Sequence, residues 1–297
     1  MSKNNPTSRE HYVPKVYLNG FASENKRLYF YDLNTRLHSN IMIDVDTICF
    51  QRNLYEYKDK NNEIILTNRI EKVLAAMEKR LNRYRTSIRE QIKVVDPHTH
   101  SFLTEDEIAY WITYITFQMF RLPKMIDEVT NVLQEIIPPN GDTNTHRNTA
   151  LNLLLPFLKP LEPDSIETRF FSMFYEGFYS MKHTIAYDEK HRLFTSDCPV
   201  YTYAPTWYAP NKRISNCEKL IFPIDESLCF IFSRTEKYPD NGIFLIDDRE
   251  YESICKSIAY AAEDKLFTKR KFTRQEKEWI RIALTDKQKD HSKLGLQ

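Results

Sequence analysis

Glycine is scarce in this chain, with 5 among 297 residues. The flexible backbone that phosphate-cradling loops require is therefore in short supply, and neither G-x-G-x-x-G nor G-x-x-x-x-G-K-[ST] occurs. The G-x-S-x-G turn that presents a nucleophilic serine is absent, as is the H-E-x-x-H zinc helix. These absences argue against dinucleotide-binding dehydrogenases, P-loop NTPases, α/β-hydrolases and zincins, and leave less stereotyped hydrolases open. Cysteine is equally sparse. The 5 cysteines (49, 198, 217, 229 and 255) form no C-x-x-C pair and leave one unpaired under any bonding scheme. They read as reduced, mostly buried thiols of a cytoplasmic protein. No apolar segment follows Met1 and no long apolar run occurs, so neither a secretory signal nor a membrane partner is expected. Neither sign of charge is in excess. Lys plus Arg number 42 against 41 Asp plus Glu, a formal net charge of +1, which neither demands nor excludes nucleic acid.

What is present describes a globular chain, with 41% hydrophobic and 13% aromatic residues. The segment 26–32 is rich in β-formers, and 37–48 alternates Ile41, Ile43 and Val45, predicting a hairpin. A second hairpin is predicted across 59–62. At Thr67-Asn68 the period changes. Ile70, Val73, Leu74, Met77, Leu81, Tyr84, Ile88 and Ile92 follow helical spacing. The opposite face carries Lys72, Lys79, Arg80, Arg83, Arg85 and Arg89, which reads either as a phosphate-tracking stripe or as a solvated face balanced by Glu71, Glu78 and Glu90. Thr104 and Glu107 form a capping box for a helix towards Ile136, which Pro123 should kink. A linker is predicted at 138–142, then helices over 145–158 and 165–180. Strands 183–187 and 192–195 read as a hairpin, followed by an antiparallel pair 219–223 with 227–232 and a short strand 242–246. Helices are predicted over 248–267 and 273–289.

The expected architecture is α+β, with N- and C-terminal antiparallel strands packed against a central block of long helices. One integrated domain, 1–297, is expected: strand-rich over 9–66, helical over 67–180, strand-rich over 181–246, with C-terminal helices over 247–291.

Three short stretches carry chemistry. In His11-Tyr12-Val13-Pro14, Pro14 pushes Val13 out of the α region, so His11 and Tyr12 lie extended before a short turn ending near Gly20, a candidate left-handed C′ residue. Gln118 and Arg121 are neighbours on one helix face amid Ile112, Ile115, Phe117, Met119, Phe120 and Leu122. They form an inward-facing pair, or Arg121 snorkels to the surface. Asp197, at a strand end before Cys198-Pro199, is either a positioned catalytic carboxylate or a turn residue capping backbone amides. His98 and His100 near Asp96 have chelating spacing but read as solvent-facing, so no metal or other cofactor is expected.

Together these stretches resemble a bacterial domain-of-unknown-function family that opens with H-Y-V-P-x-x-Y-L-x-x-F and later shows Q-x-x-R-x-P and S-D-x-P. The resemblance covers roughly residues 9–267. This chain departs from it at Cys198, where Asn is common, and lacks an Asn near Tyr251 or Ser253. The resemblance implies a setting in phage defence and a nucleic-acid or nucleotide partner. The residues themselves support a metal-independent hydrolase, a nuclease-like phosphodiesterase. His11 would be its general acid or base, Asp197 its orienting group or second base, Arg121 its anion stabiliser and Gln118 its substrate-positioning group. Tyr12, Arg52 and Tyr55 are candidates for the pocket rim. The alternatives are a sensor or binding module that holds an anionic ligand or partner without turnover, and a purely structural role for His11 and Arg121.

Overall fold

A computed structural model describes residues 9–94, 102–136, 143–153, 165–203 and 217–293. The predicted His98/His100 loop and the linker at 138–142 lie outside these residues. In chain order the elements begin with β1 (Glu10–His11), the one-turn helix α1 (Lys15–Leu18), β2 (Arg27–Asp32), β3 (Leu37–His38), β4 (Ile43–Asp44) and β5 (Phe50–Gln51). Next come β6 (Tyr57–Lys58), β7 (Ile64–Leu66), α2 (Arg69–Ile92), α3 (Glu105–Phe120), α4 (Pro123–Ile136), α5 (Thr143–Leu153) and α6 (Ile166–Tyr179). The chain then runs through β8 (Lys182–Tyr187), β9 (Thr195–Ser196), β10 (Tyr201–Tyr203), β11 (Lys219–Pro223), β12 (Leu228–Ser233) and β13 (Gly242–Leu245). It finishes with α7 (Asp248–Ala261), β14 (Lys265–Thr268) and α8 (Arg274–Lys293). The class is α+β, as expected.

The larger sheet has the order β10-β11-β12-β8-β13, antiparallel except for β13 beside β8. Its centre, β12, is buried at every position because both faces are covered. Phe230 and Phe232 point into the core shared with α3 and α6, where Trp111 and Phe178 lie 5.7 and 5.9 Å away between ring centres. Cys229 and Ile231 point the other way, towards Ile254 and Ile258 of α7. The second sheet, β3-β2-β14-β9 with β4 also on β2, joins the two ends of the chain: β14 pairs with β2 on one side and β9 on the other. Tyr17 of α1 is fully buried, and its hydroxyl lies 2.7 Å from Thr195 Oγ1 while donating to the Pro223 carbonyl at 2.8 Å.

Several expectations need correction. Segments 183–187 and 192–195 do not form a hairpin with each other. β8 takes β12 and β13 as partners, and β9 pairs with β14. The helix predicted over 248–267 stops at Ala261, because Ala262 turns extended with ψ 142° and the chain re-enters as β14. Pro123 separates two helices, α3 and α4, instead of kinking one; a proline is well placed at a first helical position. Gly20 is not a left-handed cap. A side chain there would meet Arg85, the Asp225 Cβ at 3.0 Å and the Ile224 carbonyl at 3.1 Å, so close approach of neighbours demands the glycine.

Candidate functional site

The strand β1 places His11 beside Phe50 of β5, with ring centres 5.6 Å apart. Its Nε2 is buried and has no hydrogen-bond partner. Burial, then the positive charge of Lys15, depresses the imidazole pKa below its ordinary value. After His11 the main chain is held from two directions. The Tyr12 amide donates to the Cys49 carbonyl at 2.9 Å, and Cys49 reaches this geometry at a left-handed φ of 52°.

The other direction is α3. Arg121, the residue that ends this helix, is 3% exposed. Its Nη2 donates to the His11 carbonyl at 2.5 Å, its Nη1 to Glu78 Oε1 at 2.9 Å, and its Nε lies 3.5 Å from the Tyr55 hydroxyl. Tyr55 returns the contact by donating to the Arg121 carbonyl at 2.8 Å. Burial alone would lower the guanidinium pKa, but Tyr55 and Glu78 outweigh it and hold the pKa above its ordinary value. Gln118, one turn earlier and 1% exposed, donates through Nε2 to the Tyr12 carbonyl at 2.8 Å. Its Oε1 has no partner. The inward-facing Arg–Gln pair is therefore present, and it grips the backbone of His11 and Tyr12.

Asp197 is 7% exposed, and its carboxylate accepts three consecutive amides: Glu263 at 3.0 Å, Asp264 at 2.7 Å and Lys265 at 3.1 Å. Burial pushes its pKa up to about 6, and these amides offset part of that cost. The carboxylate fixes the turn between α7 and β14. No hydrogen bond joins it to His11.

Asp197 nevertheless shares a cleft of about 490 Å³ with parts of the other two stretches. Tyr12 comes from the first, Met119, Leu122, Pro123 and Lys124 surround the second, and Asp197, Cys198 and Val200 carry the third. Tyr201, Tyr260 and Lys287 complete the walls with Met125, Glu128, Glu263 and Asp264. Lys124 bonds Glu263 at 2.9 Å, while Lys287 donates to the Ala262 carbonyl at 2.7 Å and stands 3.8 Å from Glu263. Both ammonium groups are thus engaged. Burial, reinforced by Asp197 and Glu263, pushes the Cys198 thiol up to about 12, so it is no nucleophile near neutrality.

A family model described as Protein of unknown function (DUF4238) matches residues 9–272. The chain belongs to that family. No curated protein and no solved structure matches it. In this DUF4238 chain the matched residues include all three stretches and every cleft-lining side chain except Lys287.

The other nominated residues sit elsewhere. Tyr55, expected at a rim, is 1% exposed in the core, and Arg52 is exposed on the turn after β5 without lining the cleft. Sequence reasoning missed Glu128, inside α4, and Glu263, in the turn after α7, both of which read as ordinary charged surface. It also missed a buried acidic group under β1. Glu10 is fully buried and accepts the Tyr55 amide at 2.8 Å, beside Glu56 and Glu71. Burial together with those two neighbours raises the Glu10 pKa to about 8. Glu71 and Glu78, read from sequence as surface counter-charges of α2, face inward instead; they lie seven residues apart, on one face of the helix. Among the described residues no group of three or more His, Cys, Asp or Glu is arranged to hold a metal ion, and no helix is long and apolar enough to cross a membrane.

Proposed function

We propose that this domain is a binding module whose ligand occupies the cleft, with the three stretches serving as its frame. One observation carries this reading: each stretch contributes cleft-lining residues, while three of the four polar groups suited to catalysis are consumed in holding the fold. Arg121 is spent on Glu78 and the His11 carbonyl, Gln118 on the Tyr12 carbonyl and Asp197 on three amides. What remains open to a ligand is an apolar lining of Met119, Leu122, Met125 and Val200, tyrosine walls, and a rim on which Glu128 and Asp264 stand beside the Glu263–Lys124 pair. Glu128 has no ion-pair partner among the described residues. Such a lining favours an apolar body with a cationic or neutral polar head over an anion. Calorimetry with paired alkylammonium and alkylcarboxylate probes tests this, with Glu128→Gln expected to weaken the ammonium about tenfold. Equal affinity for both probes would contradict it.

A metal-independent hydrolase or nuclease-like phosphodiesterase is the second reading, and a single feature favours it: His11 Nε2 and Gln118 Oε1 are buried and unpartnered, as if awaiting a substrate. Cleavage of mixed RNA and DNA by wild type, abolished in a folded His11→Ala protein, would establish the enzyme. Absence of cleavage with or without divalent metal leaves the binding module.

A further inference from the structure

A second concavity lies away from the cleft, over the end of β2 and the beginning of α8. Its volume is about 620 Å³, and it is lined by Tyr31, Arg36, Arg274, Lys277, Glu278 and Arg281. Four cations therefore converge on one hollow with a single carboxylate. Glu278 is already occupied, since Arg281 grips it in bidentate fashion at 3.0 and 2.6 Å. Arg36, Arg274 and Lys277 have no ion-pair partner among the described residues.

Two features make this more than a solvated surface. First, Arg274 and Lys277 stand in the opening turn of a 20-residue helix, where the backbone dipole already presents positive charge. Helices ordinarily place acids there. The one acid of this turn, Glu276, is buried and committed to Arg270, Tyr251 and the Thr273 amide. Second, Arg36 is held over the hollow by a turn in which it takes a left-handed φ of 57°, after Asp32 has accepted the Thr35 amide at 2.8 Å. A β-hairpin and a helix start, remote in sequence, thus bring like charges to one hollow. Under this patch His38 adds no charge, because Nδ1 donates to the Ser39 carbonyl at 2.6 Å and Nε2 accepts the Phe272 amide at 3.3 Å. Burial and nearby Lys277 and Lys271 keep its pKa low.

We infer that this hollow binds a phosphate-bearing ligand, a polyphosphate or the phosphate tail of a nucleotide, through Arg36, Arg274 and Lys277, with Tyr31 as its floor. An oxyanion between them would meet three cations and the positive end of the helix at once. The site is separate from the cleft, and its helix begins at Arg274, beyond the family-matched residues 9–272.

The test uses the full chain and sodium tripolyphosphate, with ATP as a parallel arm, at constant ionic strength. Both probes are expected to raise the melting midpoint and to bind by calorimetry. Arg274→Ala combined with Lys277→Ala should weaken them at least tenfold, whereas Lys60→Ala on the β6–β7 turn should leave them unchanged. Equal binding of the two probes would place recognition in the phosphates alone, and tighter ATP would add a contact to the nucleoside. Failure of both to exceed a chloride control, or binding that survives in the folded double variant, overturns the inference.

Discussion

Replacing Arg121 with alanine separates a framing residue from a catalytic one. The substitution removes a charge-assisted hydrogen bond to Glu78, worth about 1.5–3 kcal/mol, and strands the His11 carbonyl, an orphaned buried acceptor costing about 1–3 kcal/mol. The Glu78 side chain is 25% exposed and regains some hydration, which favours the lower part of the combined range. The expected destabilisation is about 3–4 kcal/mol, in line with removing one partner of a buried pair. For a chain of this size that corresponds to a melting midpoint lower by roughly 6–8 °C. Arg121→Lys keeps the charge but has one head for two acceptors, and should recover about half of the loss. Differential scanning calorimetry, with far-UV circular dichroism to confirm the fold, supplies the measurement. A midpoint within about 1 °C of wild type, accompanied by complete loss of ligand binding or cleavage, would refute the framing role and return Arg121 to the chemistry.

Other consequences follow from the same geometry. Glu10 holds its proton in the folded state up to about pH 8 but loses it near the ordinary carboxylate range when unfolded, so the folded state binds more protons between those values. Stability from this group is therefore full at low pH and lost as pH rises towards 8; Glu10→Gln, which keeps the acceptor for the Tyr55 amide, should flatten that slope and stabilise the protein at pH 8 by roughly 1–3 kcal/mol. A wild-type curve with no decline over that interval would remove the basis for the buried acidic group. The Cys198 thiol, with its pKa near 12, should react with iodoacetamide at pH 8 about a thousandfold more slowly than a free cysteine; labelling at the free-thiol rate would contradict its burial. Because β14 lies between β2 and β9, we propose that residues 9–272 unfold as one unit, giving a single calorimetric transition with calorimetric and van't Hoff enthalpies in agreement. Two separable transitions would split the domain.

Much of the fold was legible because periodicity is local. The apolar spacing from Ile70 to Ile92 marks α2 within one residue of its start, and Thr104 with Glu107 marks the start of α3. Strand partners are not local. Nothing in 183–187 says that its neighbours are β12 and β13, and β14 hides behind the alanine-rich end of α7 because Lys265–Thr268 becomes a strand only between β2 and β9. The site divides the same way. An arginine amid apolar residues announces burial, and the need for a carboxylate could be stated from sequence. Its identity as Glu78 could not, since that depends on how α2 packs beside α3. Asp197 shows the limit most clearly. Both readings of its sequence context required a positioned carboxylate, and only the fold revealed three amides already filling it. The cleft itself is assembled from side chains as distant as Tyr12 and Lys287, and no single stretch of sequence carries its shape.

In the proposed binding mode a ligand sits against Met119 and Met125, between walls supplied by all three stretches. Methionine-methyl NMR reads that contact directly. In a titration of ¹³C-methyl-labelled protein with an alkylammonium probe, the Met119 and Met125 signals should move together and saturably, and Glu128→Gln should shift the curve to about tenfold higher concentration. If the two methyls stay still while the probe binds elsewhere, or respond equally to the matched carboxylate, the cleft is not the binding site described.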